Sequence, residues 1–257
     1  MMIRYEVRDQ VAEILFDNPP VNALSEQMLD DYLAALQQAA QAADVRAVIV
    51  GSAVPGRFCA GLNLMAIHKG DHARVRNLLE RLYVRNVDTQ FHMGKPTIAA
   101  VDGTARGGGM TLAVSCDMIV ASESADFGYP EIDAGVPPSI HFSHLPSIVG
   151  RHRAFELLFT GRVFDAHEAA RLGLVSRLAP SGQAMAAARE LAATLCAKPP
   201  EVVRHGRQAF MHANDNGYRA AVRAAADSFC VAAARPSARE GIAAFVEKRK
   251  PVWPSET

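Results

Sequence analysis

Three consecutive glycines, Gly107-Gly108-Gly109, stand between two apolar runs, Thr97 to Val101 before them and Met110 to Cys116 after them. Glycine inside regular structure costs roughly 0.5–1 kcal/mol relative to alanine, because it has the most conformational freedom to lose. A buried segment that carries three therefore needs bare backbone. Two uses satisfy that need: close packing of a helix on its neighbours, and close approach of a ligand to the main chain. Spacing alone leaves both open.

The flanking text is that of an α/β protein. Ile3, Tyr5 and Val7 alternate with polar residues, and Val11 to Phe16 resumes the pattern after Arg8-Asp9-Gln10, which predicts a hairpin. Ser25 is placed to cap a helix whose apolar face is Met28, Leu29, Tyr32, Leu33 and Leu36. Ala47 to Val50 predicts a buried strand, Val75, Leu78, Leu79 and Leu82 a helix ending near Lys95-Pro96, and Thr97 to Val101 a second strand. Strand, helix and strand in that order imply a right-handed crossover with parallel pairing. From about Ser181 the text becomes alanine-rich and helical, with breaks at Pro199-Pro200 and Arg235-Pro236. The expected division is a core over residues 1–195 and a helical part over 196–257.

With 257 residues, 49% of them apolar, the chain is large enough for one sizeable core. Lys plus Arg and Asp plus Glu number 27 each, so no global field favours nucleic acid or an anionic membrane surface. Charges at Arg4, Glu6, Arg8 and Asp9 interrupt any signal-peptide centre, and no run reaches the ~18 apolar residues of a membrane span. Cys59, Cys116, Cys196 and Cys230 are far apart, without a CxxC pair, so neither a metal site nor a disulfide framework is expected. A cytoplasmic setting fits this usage.

If the strands ending near Val50 and Val101 are parallel neighbours, two segments face one cleft: Arg57 to Leu64, and Arg106 to Met110 leading into a helix. Glycine lets a ligand reach the backbone, and a helix start leaves amides unpaired with a partial positive charge behind them. One amide from each segment forms an oxyanion hole, for which a thioester carbonyl becoming an enolate is a suitable guest. Phosphate cradling is disfavoured, since neither a Gly-Lys-Ser/Thr ending nor GxGxxG after a strand is present.

Pro20 to Leu24, Phe58 to Leu62, Lys95 to Gly103, Gly107 to Gly109, Cys116-Asp117, Phe127 to Ile132, Thr160 to Arg162, Ala166 to Val175 and Phe245 to Pro251 together resemble the crotonase superfamily, the enoyl-CoA hydratases and isomerases. The resemblance implies a spiral of ββα units with a C-terminal helical domain, an acyl-CoA thioester as substrate with coenzyme A as part of it and no other cofactor, and a homotrimer or dimer of trimers. It assigns the oxyanion amides to Leu62 and Gly108, beside Ala60 and Gly107.

The resemblance also implies two glutamates for hydration. Glu131 matches one, while Thr111 occupies the position of the other, and threonine cannot exchange protons near neutral pH as a carboxylate does. The stretch after Glu131, Asp133 to His141, departs from the hydratase pattern as well, and Asn63 replaces a common aspartate. One carboxylate is enough to move a proton between two carbons of one substrate, so isomerisation is slightly favoured, with Glu131 shuttling the proton. An apolar surround of Phe127, Ile132 and Val136 is expected to raise its pKa.

Thr111, Asp133 and His141 are further candidates for chemistry, and His68 and His144 border the expected cleft; each histidine has an equally ordinary structural reading. Asp117 reads as a buried partner for backbone amides. Arg57, Phe245 and Lys248 are candidates for the coenzyme A nucleotide, the last two on the terminal helix that in relatives approaches a neighbouring subunit. Met65, Ile67, Phe91 and Phe142 are candidates for the acyl pocket. A hydratase, lyase, decarboxylase or thioesterase of the same fold, and a catalytically silent acyl-CoA-binding subunit, remain as alternatives.

Overall fold

The computed structural model describes residues 2–64, 67, 72–215 and 217–254. The expected hairpin is β1 (Ile3–Arg8) and β2 (Val11–Phe16), antiparallel across Asp9-Gln10, both at positive φ, +50° and +66°. A two-residue turn with both residues left-handed matches the twist of the strands it joins. Ser25 caps the helix Glu26–Gln41 by accepting the Met28 N–H at 3.2 Å.

The chain then places one strand in each of two sheets before each helix. β3 (Ala47–Ser52), β5 (Thr97–Val101), β7 (Met118–Ser122) and β10 (Arg177–Ala179) run parallel in a first sheet of order β1-β2-β3-β5-β7-β10. β4 (Gly56–Cys59), β6 (Gly103–Arg106), β8 (Asp126–Gly128) and the antiparallel β9 (Phe164–Asp165) form the second. The pairs β3-β4, β5-β6 and β7-β8 are the repeating units. The start of the Arg57 to Leu64 segment and Arg106 of the second segment therefore lie in short parallel strands. Four-residue strands with glycine and arginine carry no period that sequence can show, and pairing with each other is what stabilises them.

β3 and β5 read as unbroken apolar runs because both faces are covered. Val48, Val50, Ala99 and Val101 enter the main core with Phe16, Phe58 and Met110. Ala47, Ile49, Ile98 and Ala100 face Ala184, Ala188 and Ala192, one stripe of the helix Ala184–Cys196. Small side chains at this four-residue spacing let the helix lie close on the sheet. Its N-terminal amides, Ala184 and Met185, donate to the Asp102 carboxylate at 3.1 and 3.4 Å, and Arg189 forks onto the buried Glu13 at 2.6 and 2.7 Å.

Helices Pro200–Asn214, Tyr218–Ala233 and Pro236–Glu247 complete the chain. Arg207 ties the first to the core through both Asp117 oxygens, 2.8 and 3.0 Å, and the carbonyls of Gln90 and Phe91. Asp117 also accepts the Thr97 N–H at 2.8 Å; its side chain keeps 19% exposure rather than being buried outright, and it is Arg207 that is the more buried of the pair. Gly206 lies in the same helix with open space where a Cβ would be. Gly206→Ala is expected to raise stability by roughly 0.5–1 kcal/mol through helix propensity alone; chemical denaturation measures it, and a loss would refute the open-space reading.

Candidate active site

The two glycine segments meet because β4 and β6 are neighbours. β4 ends at Cys59, and Gly61 turns at φ +88°. The following residues are gripped from the other side by Leu24, whose N–H donates to Gly61 O at 2.8 Å and whose carbonyl accepts the Asn63 N–H at 3.0 Å. In such a bridge the intervening Leu62 N–H points away from Leu24, toward the cavity. Asn22 fixes this approach: its side chain donates to Ser52 Oγ at 2.7 Å and Phe58 O at 2.9 Å, and its carbonyl accepts from Cys59 Sγ at 3.2 Å.

β6 feeds Gly107, at φ +50° and ψ −116°, and then the helix Gly108–Val114. Gly108 is its first residue, so its N–H has no intrahelical acceptor. All three glycines are crowded. A Cβ on Gly109 would lie 2.3 Å from Cys59 O, one on Gly108 would be 3.5 Å from Leu62 N, and one on Gly107 would be 3.2 Å from Glu131 Oε1. The alternatives of close packing and ligand approach are thus divided within the triplet: Gly109 packs on β4, while Gly107 and Gly108 border open volume.

That volume is a cavity of about 410 Å³ lined by Ala60, Gly61, Leu62, Asn63, Gly107, Gly108, Pro130, Glu131 and Asp133, with Val21, Ala23, Leu64, Ile67, Leu82, Tyr83, Ala134, Val136, Phe229 and Phe245 supplying most of its apolar wall. Glu131 sits in a 3₁₀ turn, Pro130–Ala134, closed by Gly135 at φ +74°. Its Oε2 is buried without a hydrogen-bond partner, and burial pushes its pKa up to about 7. Of the three residues expected to surround it, Val136 lines the cavity. Phe127 instead stacks on Phe164 at 5.8 Å, because the strand pairing of β8 with β9 turns it into the core.

Thr111 and His141 are buried one layer behind this wall, with Thr111 Oγ1 3.4 Å from His141 Nε2. His141 packs on Tyr129 at 4.5 Å and on His144 at 5.2 Å. Burial pushes His144 down to about 4 and, with His144 beside it, holds His141 well below the ordinary imidazole range, so both rings are neutral near pH 7. Asp133 is exposed at the cavity edge.

Phe245 lines the cavity of its own chain rather than reaching away from it. The cause is the docking of its helix on the Glu131 turn: Gly241 lies so close to Ala134 that a Cβ would be 2.4 Å from its carbonyl carbon, and one on Gly135 would be 2.3 Å from Ser237 O. Lys248 ends that helix at φ +54°, and Arg57 donates to Thr104 Oγ1 at 2.8 Å; neither lines the cavity. Ile67, of the four candidates for that pocket, lines the cavity. Phe91 does not: it is buried against His92 and His212 and capped by the Arg219 guanidinium at 3.9 Å. Phe142 does not either, stacking outside on Phe159 at 5.7 Å. Met65 and His68 lie outside the described residues.

Tyr83, Leu82 and Phe229 are wall residues that sequence reasoning missed. Tyr83 and Leu82 sit on a π-helical segment, Glu80–Arg85, inserted between the helices His72–Leu79 and Asn86–His92. The wider turn shifts the helical face by a residue, which a 3.6-residue period cannot reveal. Among the described residues no group of three or more His, Cys, Asp or Glu side chains is placed to hold a metal ion, and no helix is long and apolar enough to cross a membrane.

Two sheets joined by ββα units thus enclose one apolar cavity lined by Leu62, Gly108 and Glu131 with its buried Oε2. The family model for enoyl-CoA hydratase/isomerase matches residues 6–256, and the chain belongs to that family. It is 37% identical over 257 residues to the enoyl-CoA hydratase domain-containing protein 2, mitochondrial, of Bos taurus, covering 96% of this chain and 85% of that protein. The fold superimposes on an enoyl-CoA hydratase of Mycobacterium avium subsp. paratuberculosis with a TM-score of 0.89 at 24% identity, covering 99% of both chains. An enoyl-CoA hydratase of Bacillus anthracis gives a TM-score of 0.79 at 29% identity over the full length of both.

Proposed function

We propose that this enoyl-CoA hydratase/isomerase family member shifts the double bond of an acyl-CoA thioester. The carrying observation is that Glu131 is, among the described residues, the buried carboxyl lining a cavity that Leu62 and Gly108 also line. The thioester oxygen accepts both amides. Glu131 removes a proton from C2 of a 3-enoyl substrate, the electron pair delocalises through the dienolate onto that oxygen, and the protonated Glu131 returns the proton at C4, leaving the 2-enoyl product. A carboxyl with its pKa near 7 is suited to both halves of this transfer. Coenzyme A is bound as part of the substrate, with Arg57, Phe245 and Lys248 at its approach. The exposed stack of Phe142, Phe159 and Phe155 supports self-association, as trimers or pairs of trimers.

The names of the relatives favour a second reading, hydration of a 2-enoyl thioester, with Glu131 activating the attacking water. A panel of 2-enoyl-, 3-enoyl- and 3-hydroxyacyl-CoA thioesters separates the two. Conversion of 3-enoyl to 2-enoyl substrate without a hydrated product is the expected result. Water addition as the faster reaction, or binding with no turnover of any thioester, overturns it.

A further inference from the structure

Tyr83 places a polar group among the apolar residues of the cavity wall, and the proton transfer does not use it. The residue is 2% exposed, and its ring stands edge-on to Phe229, another wall residue, at 6.5 Å and 89°. A buried tyrosine hydroxyl ordinarily finds a partner. That of Tyr32, equally buried, accepts from Gln90 Nε2 at 3.3 Å. The Tyr83 hydroxyl makes no hydrogen bond to any described residue. Glu131, its neighbour in the wall, does not supply one, since Glu131 Oε2 is itself buried without a partner. The Tyr129 hydroxyl is unpartnered too, but Tyr129 is enclosed behind the wall and does not line the cavity.

The backbone points the same way. Tyr83 stands in the π-helical segment Glu80–Arg85, and wide turns of this kind are rare and recur at functional sites. Neighbouring residues of a regular helix point about 100° apart, yet Leu82 and Tyr83 both line this one cavity.

A hydroxyl left unbonded in an apolar wall receives its partner when substrate arrives, and charge narrows what that partner is. The described lining residues include no lysine, arginine or histidine, while Glu131 and Asp133 are acidic, so a carboxylate on the acyl chain would be buried without a counter-charge. Burial, with Glu131 nearby, holds the Tyr83 pKa well above the ordinary phenol range, so the group stays protonated and can donate. A neutral oxygen acceptor fits both conditions.

We propose that Tyr83 is a specificity-determining residue: its hydroxyl donates to a neutral oxygen on the acyl chain, so the preferred thioester carries a ketone or ether in that chain rather than plain methylenes. The inference rests on the cavity being the acyl site of the proposed function, but not on which reaction follows.

The test is calorimetric binding of octanoyl-CoA, 6-oxooctanoyl-CoA and 7-oxooctanoyl-CoA to wild-type protein and to Tyr83→Phe, which keeps the ring and drops only the hydroxyl. Wild-type protein is expected to bind at least one keto thioester more tightly than octanoyl-CoA. In Tyr83→Phe that preference, taken as the ratio of dissociation constants, should fall by about 10- to 100-fold, because the buried carbonyl is then left unpaired. An equal ratio in the two proteins at both keto positions, or a wild-type preference for octanoyl-CoA over both, defeats the assignment while leaving the acyl site intact. Failure of wild-type protein to bind any of the three defeats the acyl-CoA reading and this proposal with it. The melting temperature of ligand-free Tyr83→Phe should not fall, since no bond of the fold is lost. A fall of about 4 °C or more would show that the hydroxyl is bonded within the fold, and would overturn the proposal.

Discussion

Glu131→Gln is expected to lower turnover of the preferred thioester by a factor of about 10² to 10⁴, the range over which a placed acid/base group acts, with binding of the thioester largely kept. The amide can neither take nor return a proton, whereas the Leu62 and Gly108 amides and the apolar wall are untouched. The wild-type rate should depend on pH in a set direction. The proton-accepting form is the carboxylate, so kcat/KM rises with pH through about 7, the value to which burial pushes this group.

The same burial has a stability consequence. The ordinary value is 4.5 and the folded value about 7, so between them the native state holds the proton more tightly than the unfolded chain does. Stability contributed by the protonated group is present at low pH and is lost as pH rises through the folded value. Glutamine removes that penalty. Glu131→Gln should therefore match the wild type near pH 4 and exceed it near pH 8 by on the order of 3 kcal/mol, or roughly 6–12 °C in melting temperature. A variant that is inactive yet no more stable than the wild type at pH 8 would contradict the burial of the Glu131 carboxyl with its Oε2 unpartnered. Full activity of Glu131→Gln would remove this residue from the chemistry altogether.

Gly109→Ala is expected to disturb the site through the main chain. The new Cβ would stand 2.3 Å from the Cys59 carbonyl oxygen and 2.9 Å from Cys59 Cβ, and the first of these is main chain, which cannot rotate away. Relief requires the helix Gly108–Val114 to move off β4, the strand that leads to Leu62. Overpacking of this kind costs about 3 kcal/mol or more. Because the displaced helix carries the Gly108 amide, kcat should fall even in protein that remains folded. Urea denaturation and steady-state kinetics measure the two effects; a folded Gly109→Ala of wild-type stability and activity would show that the triplet does not lie against β4.

These two expectations differ in how early they are legible. Glu131 stands out in the sequence only through the family resemblance of Phe127 to Ile132, since a lone glutamate in a loop otherwise reads as a surface residue. That its carboxyl is buried follows from packing by the terminal helix more than 100 residues later, through Gly241 on Ala134. Gly109 is conspicuous in the sequence, but which glycine packs and which faces the cavity depends on β4 lying beside β6. The apolar wall of the cavity was the least readable part. Ile67 was found by its place in the chain, whereas Phe91 and Phe142 are apolar for other partners, and Tyr83 faces the cavity only because a π-helical turn rotates it there.

The sequence alone determined the hairpin, the capped first helix, the doubly covered strands β3 and β5, and the need for bare backbone at two separated glycine segments. These are properties of neighbours along the chain, where apolar period, capping hydroxyl and missing Cβ act within a few residues. The tertiary structure alone decided that short strands β4 and β6 pair, that Phe245 closes its own cavity, and that His141 reaches Thr111 across 30 residues of chain. Such contacts form between residues that share no local pattern, and their geometry exists only once the two sheets have stacked and the helices have been pressed onto them.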